Sequence, residues 1–117
     1  FSDAYRVAMN IGLDSAWYGP RPEYKQIADH MQRFLWDKEP FMTYTVDGTP
    51  KEPPALHPTA IICTTAAASL ATDTELSREW VLKFWQTPPR RGERRYYDNC
   101  LYFFCLLALS GRYRMFA

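Results

Sequence analysis

The segment from Leu101 to Leu109 places the strongest constraint on the fold, because as a helix it would be apolar around its whole circumference. A helix of this kind is usually buried on most of its sides. It is too short to cross a membrane, which takes about 20 consecutive apolar residues. The segment therefore predicts a core helix that needs partner elements on several sides.

Four further helices are predicted from apolar residues at helical spacing and from proline or glycine at the boundaries. Together with the apolar segment, the predicted helices cover 3–17, 22–37, 58–71, 75–85 and 96–110. Ser2 is a predicted N-cap of the first helix, and Asp73 or Thr74 is the predicted N-cap of the fourth. Gly111 is a predicted C-cap of the last. The predicted fold class is all-α.

A long connection rich in proline separates the second and third helices, and it contains the turn signal Asp47-Gly48. Such a length is unusual in a compact domain unless the connection is functional or disordered. Residues 43–46 are predicted to be extended within it. Because four other short helices offer the apolar last helix few partners, we expect the chain to be part of a larger helical domain. The missing initiator methionine agrees with this expectation.

The formal net charge is +1, with acidic and basic residues interspersed. A nucleic-acid-binding domain usually carries a clustered basic face, and the only basic cluster, 90–95, is interrupted by Glu93. Cys63, Cys100 and Cys105 lack zinc-ligand spacing and are predicted to be buried, reduced side chains. We therefore expect no nucleic-acid partner and no metal, and, with no membrane span visible, no membrane partner. Unpaired cysteines also favour a cytoplasmic location.

Asp3 and Arg6 lie three positions apart at the start of the first predicted helix, so their side chains share one helix face. A nearby guanidinium and a helix N-terminus both favour the ionised carboxylate. An ionised aspartate can act as a general base when a water lies within its reach. An acidic residue that only stabilises the first helical turn also fits this spacing, so the residues alone leave both interpretations open.

His57 stands at the predicted mouth of the third helix, where a ring nitrogen can bind a ligand hydroxyl. An exposed loop histidine or a local cap is the alternative. The run 96–99 holds two tyrosines, an aspartate and an asparagine at the start of the last helix. Phenol and amide groups bind sugar hydroxyls, and aromatic rings stack on pyranose rings. Helix capping by Asp98 and tyrosines in the core explain the same run.

Three segments together resemble glycoside hydrolase family 8. Residues 2–11 (SDAYRVAMNI) resemble the helix that carries the general base of this family. Residues 55–58 (ALHP) resemble the Leu-His-Pro loop of its reducing-end xylose-releasing exo-oligoxylanases. Residues 94–103 (RRYYDNCLYF) and 107–111 (LALSG) resemble the closing helix of the same subgroup. The resemblance runs through the whole chain but covers only the C-terminal part of a family domain.

The resemblance implies that the chain supplies the last helices of an (α/α)6 barrel. It also implies an inverting glycosidase that degrades xylan-derived oligosaccharides, with a carboxylic acid and a carboxylate on opposite sides of the scissile bond. Under the same resemblance, Asp3 is the general base and Arg6 orients it. His57 holds the terminal xylose and stops longer chains from running through the cleft. Tyr96 and Tyr97 border the base.

The general acid of the family is a glutamate from an early helix, and we expect no glutamate of this chain to replace it. The parent enzyme is therefore expected to hydrolyse xylo-oligosaccharides together with the N-terminal part of the same domain. This segment alone is expected to be inactive. Two alternatives remain: an endo-acting family 8 xylanase, cellulase or chitosanase, whose cleft must stay open at that end, and a non-catalytic helical interaction module.

Overall fold

The computed structural model describes residues 4–114, which form five α-helices and one β-hairpin. The helices are α1 (Tyr5–Tyr18), α2 (Pro22–Leu35), α3 (Pro58–Ala67), α4 (Glu75–Trp85) and α5 (Arg95–Leu109), and a 3₁₀ turn (Ala68–Ala71) continues α3. The antiparallel strands are β1 (Met42–Tyr44) and β2 (Pro50–Pro54). The predicted all-α class is confirmed. Within the described range, no helix has both the length and the apolar character of a membrane span.

The predicted helix ends lie within two residues of the observed ones, apart from the 3₁₀ turn that closes the third helix and from the start of the first helix, whose predicted bound lies outside the described residues. Thr74 is the N-cap of α4, as its position predicts. Gly111 follows α5 with a φ of 75°, and its N–H donates to the carbonyl oxygen of Ala108. The predicted C-terminal stop of α5 is therefore confirmed. Ser2 lies outside the described residues.

The predicted extended piece is displaced along the chain, because β1 ends at Tyr44 and the turn begins at Thr45. The N–H of Gly48 donates to the carbonyl oxygen of Thr45 over 2.9 Å, and this bond closes the turn. Gly48 has a φ of 88°, a conformation that glycine adopts without strain. The hairpin thus fills the long connection between α2 and α3 with ordered backbone.

Helix α3 forms the centre of the fold, and its eight residues from Ala60 to Ala67 are all buried. It packs against α1, α4 and α5. Gly12 makes the approach of α1 possible, because a Cβ at this position would lie 2.2 Å from the carbonyl oxygen of Ala67. The two helices can touch this closely only without a side chain there.

The core between α3, α4 and α5 is built around two large aromatic side chains, Trp80 and Phe84, which are fully buried. The indole N–H of Trp80 donates to the carbonyl oxygen of Gln32 over 3.1 Å. Cys63 and Cys105 are buried where α3 meets α5, as predicted, whereas Cys100 is partly exposed. All three carry free thiols.

Within residues 4–114, helix α5 is buried on one face, which agrees with the expectation that four short helices offer it few partners. That it is buried on most sides in a larger domain stays a prediction. Leu101, Cys105 and Ala108 are buried, whereas Phe103 and Phe104 are 54% and 39% exposed. The reason is that α3 covers one face of α5 and no described element covers the opposite face.

Candidate functional site

Three aromatic rings from α1, α5 and the residue before α3 meet at one end of the helices. The ring centroids of His57 and Tyr97 lie 4.6 Å apart, and those of Tyr5 and His57 lie 6.4 Å apart with the rings nearly perpendicular. Tyr5 and Tyr97 are separated by 6.5 Å. Because each of these residues stands at or near the start of its helix, three helix N-termini converge here, and we treat this cluster as the candidate site.

His57 occupies the N-cap position of α3, but its side chain makes no capping bond to the described backbone. The free N–H groups of the first helical turn therefore need another acceptor. The carboxylate of Asp98, on α5, provides it: Oδ1 accepts from the N–H of Ala60 over 2.6 Å. A negative charge at a helix N-terminus is also favourable for the helix dipole.

The second carboxylate oxygen of Asp98 binds two more donors. Oδ2 lies 3.0 Å from Nδ1 of His57 and accepts from Nη1 of Arg90 over 2.6 Å. Asp98 is fully buried, and a buried carboxylate is costly unless it is paired and hydrogen-bonded. Here both oxygens are satisfied, one by a helix terminus and the other by a guanidinium and an imidazole.

Arg90 is itself held in place by neighbouring groups. Its side chain also donates to the carbonyl oxygen of Leu56, the residue before His57. Its backbone N–H donates to Oδ1 of Asn99 over 2.8 Å, and Nδ2 of Asn99 donates back to its carbonyl oxygen over 2.9 Å. The loop before α5 is therefore fastened both to α5 and to the segment that precedes α3.

The ring of His57 has a defined direction of hydrogen bonding. A carboxylate can only accept, so Nδ1 carries the proton that faces Asp98. The other nitrogen, Nε2, is then a hydrogen-bond acceptor whenever the ring is neutral. Within residues 4–114 no protein group bonds to Nε2, and the His57 side chain is 13% exposed. The arrangement can therefore accept a hydrogen bond from one ligand hydroxyl beside the ring of Tyr97.

The structure brings together some of the residues predicted from the sequence. His57 and Tyr97 are in contact, and Arg6 lies exposed in the first turn of α1, next to Tyr5. Tyr96 is 81% exposed and lines a separate shallow groove with Phe103 and Phe104. Asp3 lies outside the described residues, so its predicted role as the general base stays a prediction.

Sequence reasoning does not assign three residues to the site. These are Tyr5, which belongs to the cluster, and Arg90 and Asp98, which hold His57. The run 96–99 drew attention to Asp98, but only as a cap of its own helix. Forty-one positions separate it from His57, and no local pattern signals a contact over that distance. Among residues 4–114, no group of three or more His, Cys, Asp or Glu side chains is arranged to hold a metal ion.

No protein-family model matches this chain. The chain is 48% identical over 118 residues to the reducing-end xylose-releasing exo-oligoxylanase Rex8A of Paenibacillus barcinonensis. The aligned region covers 99% of this chain and 31% of that relative. The chain is 46% identical over 121 residues to a reducing-end xylose-releasing exo-oligoxylanase of Bifidobacterium adolescentis, covering 97% of this chain and 32% of that protein. It is similar to these exo-oligoxylanases along nearly its whole length. The chain spans about a third of the length of these relatives.

Solved structures of a reducing-end xylose-releasing exo-oligoxylanase match the fold. One has a TM-score of 0.97 and 48% sequence identity, and it covers 100% of this chain and 32% of that chain. Two others with the same score are complexes of that enzyme, one with xylose and one, of a mutant, with xylobiose. The arrangement of α1 to α5 therefore matches that of about a third of the solved enzyme's chain.

Proposed function

We propose that this chain is the C-terminal part of a family 8 glycoside hydrolase that releases xylose from the reducing ends of xylo-oligosaccharides. The observation that carries the proposal is the 48% identity over 99% of the chain to an exo-oligoxylanase. The TM-score of 0.97 to the solved enzyme supports it. That enzyme has been crystallised with xylose and xylobiose, which supports a xylo-oligosaccharide substrate here.

The proposed reaction is hydrolysis with inversion, in which one carboxylate activates water while a carboxylic acid protonates the leaving oxygen. Asp3 is the proposed general base, and Arg6 keeps it charged and oriented. The general acid is proposed to come from the N-terminal part of the same (α/α)6 barrel, so this chain alone does not turn over substrate. Two carboxyl groups suffice for the chemistry, and no cofactor is proposed. The proposed location is the cytoplasm.

His57 is the proposed stop at the reducing end of the cleft. Its Nε2 accepts a hydrogen bond from a hydroxyl of the terminal xylose, and the ring of Tyr97, 4.6 Å away, supports the imidazole from the side. A ring held in this position leaves room for one sugar beyond the scissile bond and blocks a second. Tyr97 is proposed to border the base from within the cluster, and Tyr96 from the exposed start of α5.

The test is hydrolysis of xylotetraose by the full-length protein that contains this chain. We expect only xylose and xylotriose as the first products, and roughly 100-fold or greater loss of kcat in Asp3→Asn, because general base catalysis contributes about that much. Asp73→Asn is the matched control, since Asp73 is an exposed aspartate whose ion pair is with Arg78, outside the cluster. Full activity in Asp3→Asn would contradict the assignment of the base.

A second measurement distinguishes an exo-acting enzyme from an endo-acting enzyme of the same family. His57→Ala in the full-length protein should allow xylotetraose to shift by one sugar, so xylobiose appears among the first products. An endo-acting enzyme would already release xylobiose or mixed oligomers in its wild-type form. If wild-type products were mixed, release of single xylose units would be ruled out as the main activity.

A further inference from the structure

We propose that Asp98, supported by Arg90, is the positioning residue that fixes both the orientation and the tautomer of His57. This inference rests on the proposed function, because it assigns to Asp98 the control of how many sugars fit beyond the scissile bond. Asp98 acts through His57 and is not proposed to touch the substrate.

The first step of the argument is that the carboxylate of Asp98 is itself immobile. Oδ1 is anchored to the N–H of Ala60 over 2.6 Å, at the start of the buried part of helix α3. This bond fixes the rotation of the carboxyl group, so Oδ2 points in one direction only. Nδ1 of His57 lies 3.0 Å from Oδ2, and the ring plane is therefore set by a group that belongs to the rigid core.

The second step is that the backbone beneath His57 is held by the same network. Arg90 donates from Nη1 to Oδ2 of Asp98 and also to the carbonyl oxygen of Leu56. The side chain of Tyr97, next to Asp98 on α5, packs against the imidazole ring. Tyr97 and Asp98, which are consecutive residues of α5, thus contact one face and one edge of the His57 ring.

The third step concerns the cap of α3, for which Oδ1 alone would suffice. Helix α4 obtains its cap from its own N-cap residue, because Oγ1 of Thr74 accepts from the N–H of Ser77 over 3.0 Å. At the start of α3 the N-cap position holds His57, which makes no such bond to the described backbone. By capping α3 from another helix, Asp98 leaves this position free for a histidine that binds ligand. The same carboxylate performs both tasks.

The first experiment reads the tautomer directly and does not depend on activity. In ¹⁵N NMR of histidine-labelled full-length protein, with the signals assigned by their loss in His57→Gln, neutral His57 should carry its proton on Nδ1 alone. In Asp98→Ala this preference should disappear, because the acceptor is removed. Asp98→Asn, which keeps the shape, serves as the second variant, and Asp73→Asn is the control that should match wild type. Retention of the wild-type tautomer in both Asp98 variants would overturn the proposal.

The second experiment is a double-mutant cycle read as a product ratio. Asp98→Asn should raise the ratio of xylobiose to xylose released from xylotetraose by roughly tenfold, the factor expected for the loss of one well-placed hydrogen bond. In a His57→Ala background, the same substitution should leave the ratio unchanged, because the residue it positions is gone. A ratio counts only active molecules, so a loss of folded protein does not move it.

The outcomes separate the two proposals. If Asp98→Asn changed the product ratio equally with and without His57, Asp98 would act on the substrate or the fold directly and the inference would be wrong. If the wild-type protein failed to release xylose, the proposed function would fail. The tautomer measurement would still decide whether Asp98 sets the state of His57.

Discussion

Helices α3 and α4 are capped at their N-termini in different ways. At α3 the donors and acceptors come from distant parts of the chain: His57 and Asp98 are 41 positions apart, and Ala60 and Asp98 are 38 apart. At α4 the partners are three positions apart, because Thr74 and Ser77 exchange hydrogen bonds between side chain and backbone. The first arrangement ties α3, α5 and the loop before α5 together, whereas the second stabilises only the start of its own helix.

This difference explains why the candidate site lies at the start of α3. A side chain that selects a ligand must be held by neighbours whose own positions are fixed. The network around Asp98 supplies such neighbours from two helices and a loop. The capping box of α4 supplies none, and it leaves no position open for a functional residue. The remote cap of α3 therefore needs partners from two helices and a loop, and these partners hold the candidate site in a fixed geometry.

The largest expected effect belongs to Asp98→Ala. The substitution leaves the guanidinium of Arg90 and the N–H of Ala60 without their shared acceptor. Removing one partner of a buried ion pair costs about 3–5 kcal/mol. Because the Arg90 side chain is 26% exposed, we expect the lower end of this range, about 3 kcal/mol of unfolding free energy, measured by urea denaturation.

Asp73→Ala is the control for that measurement. Asp73 pairs with Arg78 over 2.8 Å, but their side chains are 80% and 69% exposed. An exposed pair of this kind contributes at most about 1 kcal/mol. Equal losses of stability in Asp73→Ala and Asp98→Ala would show that the remote cap holds the fold no better than a surface ion pair does.

The next effect concerns the thiols buried between α3 and α5. A hydrogen bond with Cys63, together with burial, raises the pKa of Cys105 well above its ordinary value, so this thiol should react slowly with maleimide. Cys100 is partly exposed and should react first. In a Cys100→Ser background, Asp98→Ala should accelerate labelling of Cys105 by roughly 100-fold. The reason is that the free energy needed to expose the thiol falls by about 3 kcal/mol. An unchanged labelling rate would mean that Asp98 does not hold α5 against α3.

A smaller effect is expected at the local cap. Thr74→Ala removes the oxygen that accepts from the N–H of Ser77 and should cost about 1 kcal/mol, the usual value for an N-cap. Thr74→Ser keeps the acceptor and is the matched control, with a loss close to zero. The comparison would break if Thr74→Ala destabilised the protein as much as Asp98→Ala, since the two kinds of cap would then be equivalent.

The local cap is also the part of the fold that sequence reasoning reproduces best. The bounds of α4 agree with the prediction at both ends, because Thr74, the apolar spacing and the following prolines all act over a few residues. The resemblance to known enzymes adds His57 and Tyr97, which the structure brings into contact. Neither periodicity nor resemblance yields the pairing of His57 with Asp98, because that pairing exists only once α5 has packed against α3.

Helix α5 shows the corresponding limit for the core. Its apolar run correctly predicts a helix, but the pattern says which residues avoid water and not which element covers them. In the described part of the chain, Leu101 and Cys105 are covered by α3, and Phe103 remains 54% exposed. The β-hairpin is predicted only in part, because the sequence indicates the turn at Asp47-Gly48 and an extended piece over 43–46 but has no strand signal for β2, which contains three prolines.

The smallest expected effect tests whether distance along the chain or burial makes the remote cap strong. Before α4, Thr72 donates from Oγ1 to Asp29 of α2, 43 positions away, so this contact is as long-range as that of Asp98. Burial raises the pKa of Asp29, but hydrogen bonds from Thr72 and Lys25 outweigh it, and the pKa lies below its ordinary value of 3.8. A lowered folded-state pKa means stability that is present above 3.8 and is lost as the pH falls through the folded value. Because Lys25 is 56% exposed, the electrostatic gain is screened, and we expect it to contribute only about 0.5 kcal/mol of unfolding free energy.

The test is urea denaturation of the wild type and of Asp29→Asn, which keeps an acceptor for Thr72. The two unfolding free energies should differ by this amount at neutral pH and converge in acid. A loss of several kcal/mol at neutral pH would mean that sequence separation and not burial decides the strength of such contacts.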